Sequence, residues 1–243
     1  MRKRTEALLH RLGRLPQIGR FLLIGGTALS LLEHHRESDD LDFTIATQRL
    51  PYPLINDLIN DLRRSGSHIE QVANLGAAQD FEASGLNLDD YQRDYVVDGV
   101  KLTFVSLDDQ EILSNCAYET IAGIKVADLE TLFRLKASLL TTRVTSRDLF
   151  DLYYLTHDKG RQVADIFAVI RRYHPTYPEE AVKYRMLSQP FPPDDPGFKA
   201  SLNREISVDA IRGWFLQQVN AIEVEQVQRL AAKLDDNGSE SPP

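Results

Sequence analysis

Cysteine is almost missing from this 243-residue chain. Cys116 stands alone, so no intrachain disulfide can form and no set of cysteines can cage zinc, which fits a reducing compartment. Its simplest reading is a small buried hydrophobe. Long apolar runs are absent as well: none approaches the roughly 20 residues that cross a bilayer. The start, MRKRTEALLHRLGR, lacks the apolar region and small-residue cleavage site of a signal peptide, and a cytoplasmic location without membrane contact is expected. Excess positive charge is missing too. The net charge of −8 argues against a surface that coats nucleic acid indiscriminately. The G-x-S-x-G elbow of hydrolases, the H-E-x-x-H pair of zinc proteases and the G-x-x-x-x-G-K-[ST] phosphate loop are all absent. His34 and His35 are adjacent, so a helix would send them in different directions and they make no metal pair. Neither an internal repeat nor a coiled-coil heptad is visible.

What is present reads as a soluble globular protein, with 42% hydrophobic and 26% charged residues in one large or two modest domains. Its charge is uneven. Arg2, Lys3, Arg4, Arg11, Arg14 and Arg20 gather at the N-terminus, where such a patch can hold RNA or phosphates by counterion release. The same residues also read as the solvated face of a helix whose Leu8, Leu9 and Leu12 turn inward.

Periodicity predicts a helix over Thr5 to Leu12, a short strand over Phe21 to Ile24 and a helix over Thr27 to His35. A strand over Leu41 to Ile45 and a helix from Pro51 to about Arg64 follow, the latter with Leu54, Ile55, Leu58, Ile59 and Leu62 on one side. Extended stretches come next at His68 to Val72, Tyr91 to Val97 and Val100 to Ser106, the last two joined by the hairpin signal Asp98-Gly99. Beyond Ser106 the pattern is helical: Ala127 to Leu140, Ser146 to Thr156, Val163 to Tyr173, and Ser207 to about Leu234 after the proline-rich loop Gln189 to Gly197. The expected architecture is α/β (α+β), a mixed sheet in residues 1–115 followed by a helical domain in 116–234, with 235–243 a disordered tail.

The segment Leu23 to Phe43, LIGGTALSLLEHHRESDDLDF, carries the most chemistry. Its glycine pair, Gly25-Gly26, lets the backbone turn sharply and bring N–H groups near an oxyanion, with a helix N-terminus behind it. Glycines are also ordinary at strand-to-helix turns. Asp40 and Asp42 alternate with Leu41 and Phe43, so a strand puts both carboxylates on one face and both apolar side chains in the core. Paired carboxylates of this kind suit a divalent cation and a nucleoside triphosphate.

A second constellation is LKASLLTTRVTSRDLFDLYYL, Leu135 to Leu155. Lys136 stands among apolar residues, Thr145 and Ser146 can cap a helix, and Arg147, Asp148 and Asp151 follow at its start. Asp148 and Asp151, three apart, can share a face. Capping and dipole complementation account for the same residues without chemistry.

Taken in order, IGGTAL, RESDDLDF, a lysine in an amphipathic helix and SRDLFDLYYL resemble the AbiEii/AbiGii-type nucleotidyltransferase toxins, which include the MenT enzymes. The resemblance runs from about Phe21 to Leu155. It implies a minimal polymerase-β-like nucleotidyltransferase fold with a helical domain, Mg²⁺ (or Mn²⁺) and a nucleoside triphosphate, nucleotide transfer to tRNA 3′ ends, another RNA or a protein hydroxyl, and a separately encoded antitoxin as partner. Carried over by position, it makes Gly25, Gly26 and Thr27 the phosphate-cradling turn and Asp40 and Asp42 the metal ligands. Lys136, with Arg147 nearby, would neutralise the triphosphate, and Asp148 would act as base or orient Lys136. Arg36, Ser38, Lys101 and Asp151 join the expected nucleotide-binding set. One position departs: relatives often have an acidic residue where KLTFV places Thr103. Threonine cannot serve as a charged ligand or general base. Either Asp148 supplies that function or the protein binds nucleotide, or a protein partner, without efficient transfer.

Overall fold

The apolar run before the glycine pair forms an inner strand of a seven-stranded sheet. The computed structural model describes residues 2–200 and 205–238, with 233–238 given by backbone alone. The chain divides into two compact units, one of Met1–Lys136 with Phe198–Arg204 and one of Ala137–Gly197 with Glu205–Pro243.

In the first unit the strands are β1 (Leu22–Ile24), β2 (Leu41–Thr44), β3 (Ile69–Val72), β4 (Gln92–Val97), β5 (Val100–Val105), β6 (Tyr118–Ile121) and β7 (Ile124–Ala127), in the order β3-β4-β5-β2-β1-β7-β6. The β2·β5 and β1·β7 pairs are parallel and the others antiparallel, so the expected mixed sheet holds. One face is a core face, because period two aligns Leu23, Leu41, Phe43, Leu102, Phe104, Tyr95 and Val126 on it, all at most 2% exposed. Phe104 centres that layer, its ring 5.0 Å from Phe21, 5.9 Å from Phe43 and 6.3 Å from Tyr95. Helix α1 (Lys3–Leu12) contributes Leu8, Leu9 and Leu12 to the buried set, which decides the inward reading of those leucines. Helix α3 (Tyr52–Arg64) contributes Ile55, Leu58, Ile59 and Leu62.

Helix α2 (Gly25–Glu33) starts at the glycine pair itself, two residues before the expected Thr27, and ends where His34 turns left-handed at φ 52. Helix α4 (Leu75–Ala83) buries no residue, which explains why periodicity missed it. The short helix α5 (Gln110–Ser114) leads into β6 and β7, which were expected to belong to a helical half. They form a hairpin over Ala122 and Gly123, both at positive φ, and β7 completes the edge of β1. For that reason the units divide after Lys136, within α6 (Leu129–Leu139), and not near Asn115.

The second unit is helical: α7 (Ser146–Tyr153) with a wider turn at Tyr154–Asp158, α8 (Val163–Tyr173), α9 (Glu179–Leu187) and α10 (Val208–Gly238). Its core includes Leu149, Leu152, Phe167, Ile170, Val182 and Phe215. Of the expected tail 235–243, residues 235–238 are the end of α10 and residues 239–243 lie outside those described. No described helix is long and apolar enough to cross a membrane.

Candidate active site

At the end of β1 the extended Ile24 hands the chain to Gly25 at φ +76, a conformation that favours glycine. The register sets Ile24 opposite Asp42, and a Cβ added at Gly25 would meet Asp42 Oδ2 at 2.8 Å. The turn and the carboxylate therefore touch. At Gly26 a Cβ would run into the guanidinium of Arg36 and come within 3.1 Å of Ser38 Oγ. Arg36 and Ser38 are buried beneath the turn, and Arg36 Nη1 donates to the Glu37 carbonyl at 3.0 Å. The buried Thr27 hydroxyl is hydrogen-bonded to Ser38 Oγ at 2.9 Å and to the Asp40 carbonyl. Ser30 Oγ donates to the Arg36 carbonyl at 2.8 Å, tying the helix that follows the turn to the strand approach. Seven expected residues, Gly25, Gly26, Thr27, Arg36, Ser38, Asp40 and Asp42, thus lie along one hydrogen-bonded and packed junction.

Asp40 and Asp42 are half-buried; Asp42 lies on β2 and Asp40 immediately precedes that strand. Their oxygens are hard donors of the type a divalent cation takes. Among the described residues no group of three His, Cys, Asp or Glu side chains is close enough to hold a metal ion. The position next in line on the sheet is Thr103, which pairs with Asp42 across β2·β5. Thr103 pairs in turn with Asp94 across β4·β5, and its Oγ1 donates to Asp94 Oδ1 at 2.7 Å. Asp42, Thr103 and Asp94 accordingly form one row across three strands on the same face.

Asp94 was not among the residues singled out from the sequence. A signal was there: a two-residue turn at Asp98-Gly99 sets Val97 opposite Val100, and counting back sets Asp94 opposite Thr103. Asp94 also lines a cleft of about 450 Å³ with Gln71, Asn74, Asn87 and Gln92. Lys101 is exposed on the same face as Thr103, two residues away.

Lys136, in α6, is 6% exposed and belongs to the first unit. The remaining expected residues belong to the second. There Thr145 caps α7, its hydroxyl accepting from the Asp148 N–H at 3.1 Å and approaching Asp148 Oδ2 at 2.7 Å. Arg143 Nη1 lies 3.6 Å from the same carboxylate, and both Asp148 and Asp151 are buried. Arg147 Nε donates to the Gly197 carbonyl at 3.0 Å. Asp195 accepts from Ser146 N at 2.7 Å, Ser146 Oγ at 2.5 Å and Gly197 N at 2.8 Å. Burial would raise the Asp195 carboxyl, but the Ser146 and Gly197 donors and the Arg147 charge outweigh it and hold it below its ordinary value. Cys116 is half-buried, and burial with the Asp128 charge pushes its thiol up, away from nucleophilic use.

A family model described as nucleotidyl transferase AbiEii toxin, type IV TA system, matches residues 7–226. An uncharacterized protein of Aquifex aeolicus (strain VF5) is 23% identical over 172 residues, 71% of this chain and 75% of that protein. Among solved structures, a putative nucleotidyltransferase from H. pylori is 19% identical, with 95% of this chain and 99% of that one covered at a TM-score of 0.50. MenT4, a nucleotidyltransferase toxin from Mycobacterium tuberculosis H37Rv, is 16% identical, with 79% and 69% covered at a TM-score of 0.42. The likeness to the H. pylori protein is one of fold.

Proposed function

The chain belongs to the AbiEii nucleotidyltransferase toxin family of type IV toxin–antitoxin systems, and from that premise we propose that it moves an NMP group from an NTP to a hydroxyl of RNA, with the 3′ end of tRNA as first acceptor to test and a protein hydroxyl as second. The observation that carries this reading is the contact between turn and carboxylate: Gly25 lacks the Cβ that would meet Asp42 Oδ2 at 2.8 Å. Backbone N–H groups at the start of α2 can take phosphate oxygens there, with the helix dipole behind them. Asp40 and Asp42 would hold Mg²⁺ or Mn²⁺ beside them. Such an ion supplies charge neutralisation on the triphosphate.

In the transfer the acceptor hydroxyl oxygen bonds to the α-phosphorus, the bond to the bridging oxygen breaks, pyrophosphate leaves and the hydroxyl proton passes to a base. Little covalent work falls to the protein; positioning and electrostatics do most of it. Thr27, Ser38 and Arg36 hold the turn in shape from beneath. The roles that resemblance implies for Lys101, Lys136, Arg147, Asp148 and Asp151 are proposed with it, each open to its own substitution. An antitoxin as protein partner and action in the cytoplasm, where NTPs and tRNA occur, belong to the same proposal.

The test is incorporation of each radiolabelled NTP into a tRNA pool by wild-type protein and by Asp40→Ala and Asp42→Ala. Loss of labelling in both variants is expected, and wild-type labelling in both sinks the assignment. A second reading, nucleotide or partner binding without efficient transfer, is favoured by Thr103 at a position where a carboxylate is expected. Calorimetry that detects NTP binding while no RNA or protein pool is labelled would decide for it.

A further inference from the structure

Asp94 is 7% exposed, and both oxygens of its carboxylate are held: Thr103 Oγ1 donates to Oδ1 at 2.7 Å and Gln92 Nε2 to Oδ2 at 2.7 Å. Neither donor is a cation, and among the described residues no lysine, arginine or histidine pairs with it. Arg93 falls on the opposite face by strand period, with its guanidinium at Asp89, 3.3 Å away, and over the Tyr52 ring. Its negative charge therefore has no cation beside it in the protein, and a bound cation on the same sheet face would provide one.

The register says where such a cation would lie. Asp94 faces Thr103, and Thr103 faces Asp42. Neighbouring strands lie about 4.8 Å apart, which puts the Asp94 backbone about 10 Å from that of Asp42. A carboxylate at that remove is two strands from an ion held by Asp42, whereas Thr103 stands on the adjacent strand, directly opposite Asp42. Thr103 has a single hydroxyl hydrogen, and Asp94 takes it. The oxygen's lone pairs are left to point elsewhere, and the short bond to a carboxylate makes that oxygen more electron-rich.

We infer that Thr103 and Asp94 act as a pair in place of the third carboxylate: Thr103 Oγ1 is an oxygen ligand for the divalent cation of Asp40 and Asp42, and Asp94 is the positioning residue that orients it. The inference rests on the nucleotide-transfer reading of that site. A hydroxyl is an accepted ligand for Mg²⁺ when the protein orients it, as in phosphate-loop proteins. The third negative charge is thereby kept on the same face, one strand further out, and the departure at Thr103 is not a loss of the site.

The test is Mn²⁺ titrated alone into the full chain and followed by EPR of the free ion, for wild type, Asp42→Ala, Thr103→Val, Thr103→Ser and Asp94→Asn, with thermal unfolding of each. Binding should be lost in Asp42→Ala, weakened about 10- to 100-fold in Thr103→Val and Asp94→Asn as for other groups that orient metal ligands, and retained in Thr103→Ser. If wild type binds no Mn²⁺, or Asp42→Ala binds as well as wild type, the metal-site reading falls and the pair with it. If Asp42→Ala loses binding while Thr103→Val and Asp94→Asn stay within about twofold of wild type, the reading stands and the pair is overturned. Should Thr103→Val fail to fold, the comparison of Asp94→Asn with Thr103→Ser decides alone.

Discussion

Replacing Gly25 by alanine separates the architecture of the turn from its chemistry. Two costs can be worked out. At φ +76 an alanine pays about 1–2 kcal/mol for a left-handed backbone. Its Cβ also meets Asp42 Oδ2 at 2.8 Å, and opening that contact to about 3.5 Å displaces the carboxylate by roughly 0.7 Å. The first cost lowers the unfolding temperature by about 2–8 °C, taking about 2–4 °C per kcal/mol at this chain length. The second acts on function: a reacting group misplaced by about 1 Å loses about 100-fold, so a fall in kcat/KM of roughly 30- to 100-fold is expected. Gly66→Ala is the control, because Gly66 has φ +92 and nothing lies within 4 Å of the added Cβ. The assays are thermal unfolding and transfer of radiolabelled NTP to tRNA. Similar melting losses with transfer lost only in Gly25→Ala are expected. Equal transfer by the two variants would refute the claim that the turn is shaped for Asp42.

Two further outcomes concern stability. Phe104→Ala empties the centre of the sheet's core face, where three rings lie within 6.3 Å, and should cost about 3–5 kcal/mol, read as a melting temperature lowered by about 6–20 °C; a loss under about 3 °C would mean that the layer repacks without it. Asp195 has its carboxyl held below the ordinary value, so its contribution is complete above the unfolded value of about 3.9 and drains away as pH falls through the lower folded value. Asp195→Asn should therefore flatten the acid side of the stability profile measured by melting between about pH 2 and pH 5, and an unchanged slope would exclude its anchoring of Ser146 and Gly197 as a source of acid sensitivity.

Much of the first unit follows from local pattern. Leu22–Ile24, Leu41–Thr44 and the strands flanking Asp98-Gly99 are strands because short apolar or alternating runs end at turn residues. The helices with a marked apolar stripe, α1, α3 and α8, match their expected spans within two residues. Where the pattern is weak, the reading fails. Helix α4 has no buried face, and the four-residue strands β6 and β7 are too short to show a period against helical neighbours.

Sequence alone determined what depends on a few adjacent residues: a glycine turn before a helix, a strand that begins at Leu41 and carries Asp42, and the family whose ordered motifs these are. Even the facing of Asp94 and Thr103 was fixed locally, since a two-residue turn leaves a hairpin one register. Tertiary structure alone decided that β5 lies parallel beside β2, a crossover of more than 50 residues that no periodicity encodes, and so that Thr103 stands between Asp42 and a buried Asp94. The reason is range. Turns and side-chain alternation are set by neighbouring dihedrals, whereas the order of strands is set by burial of the whole core face around Phe104.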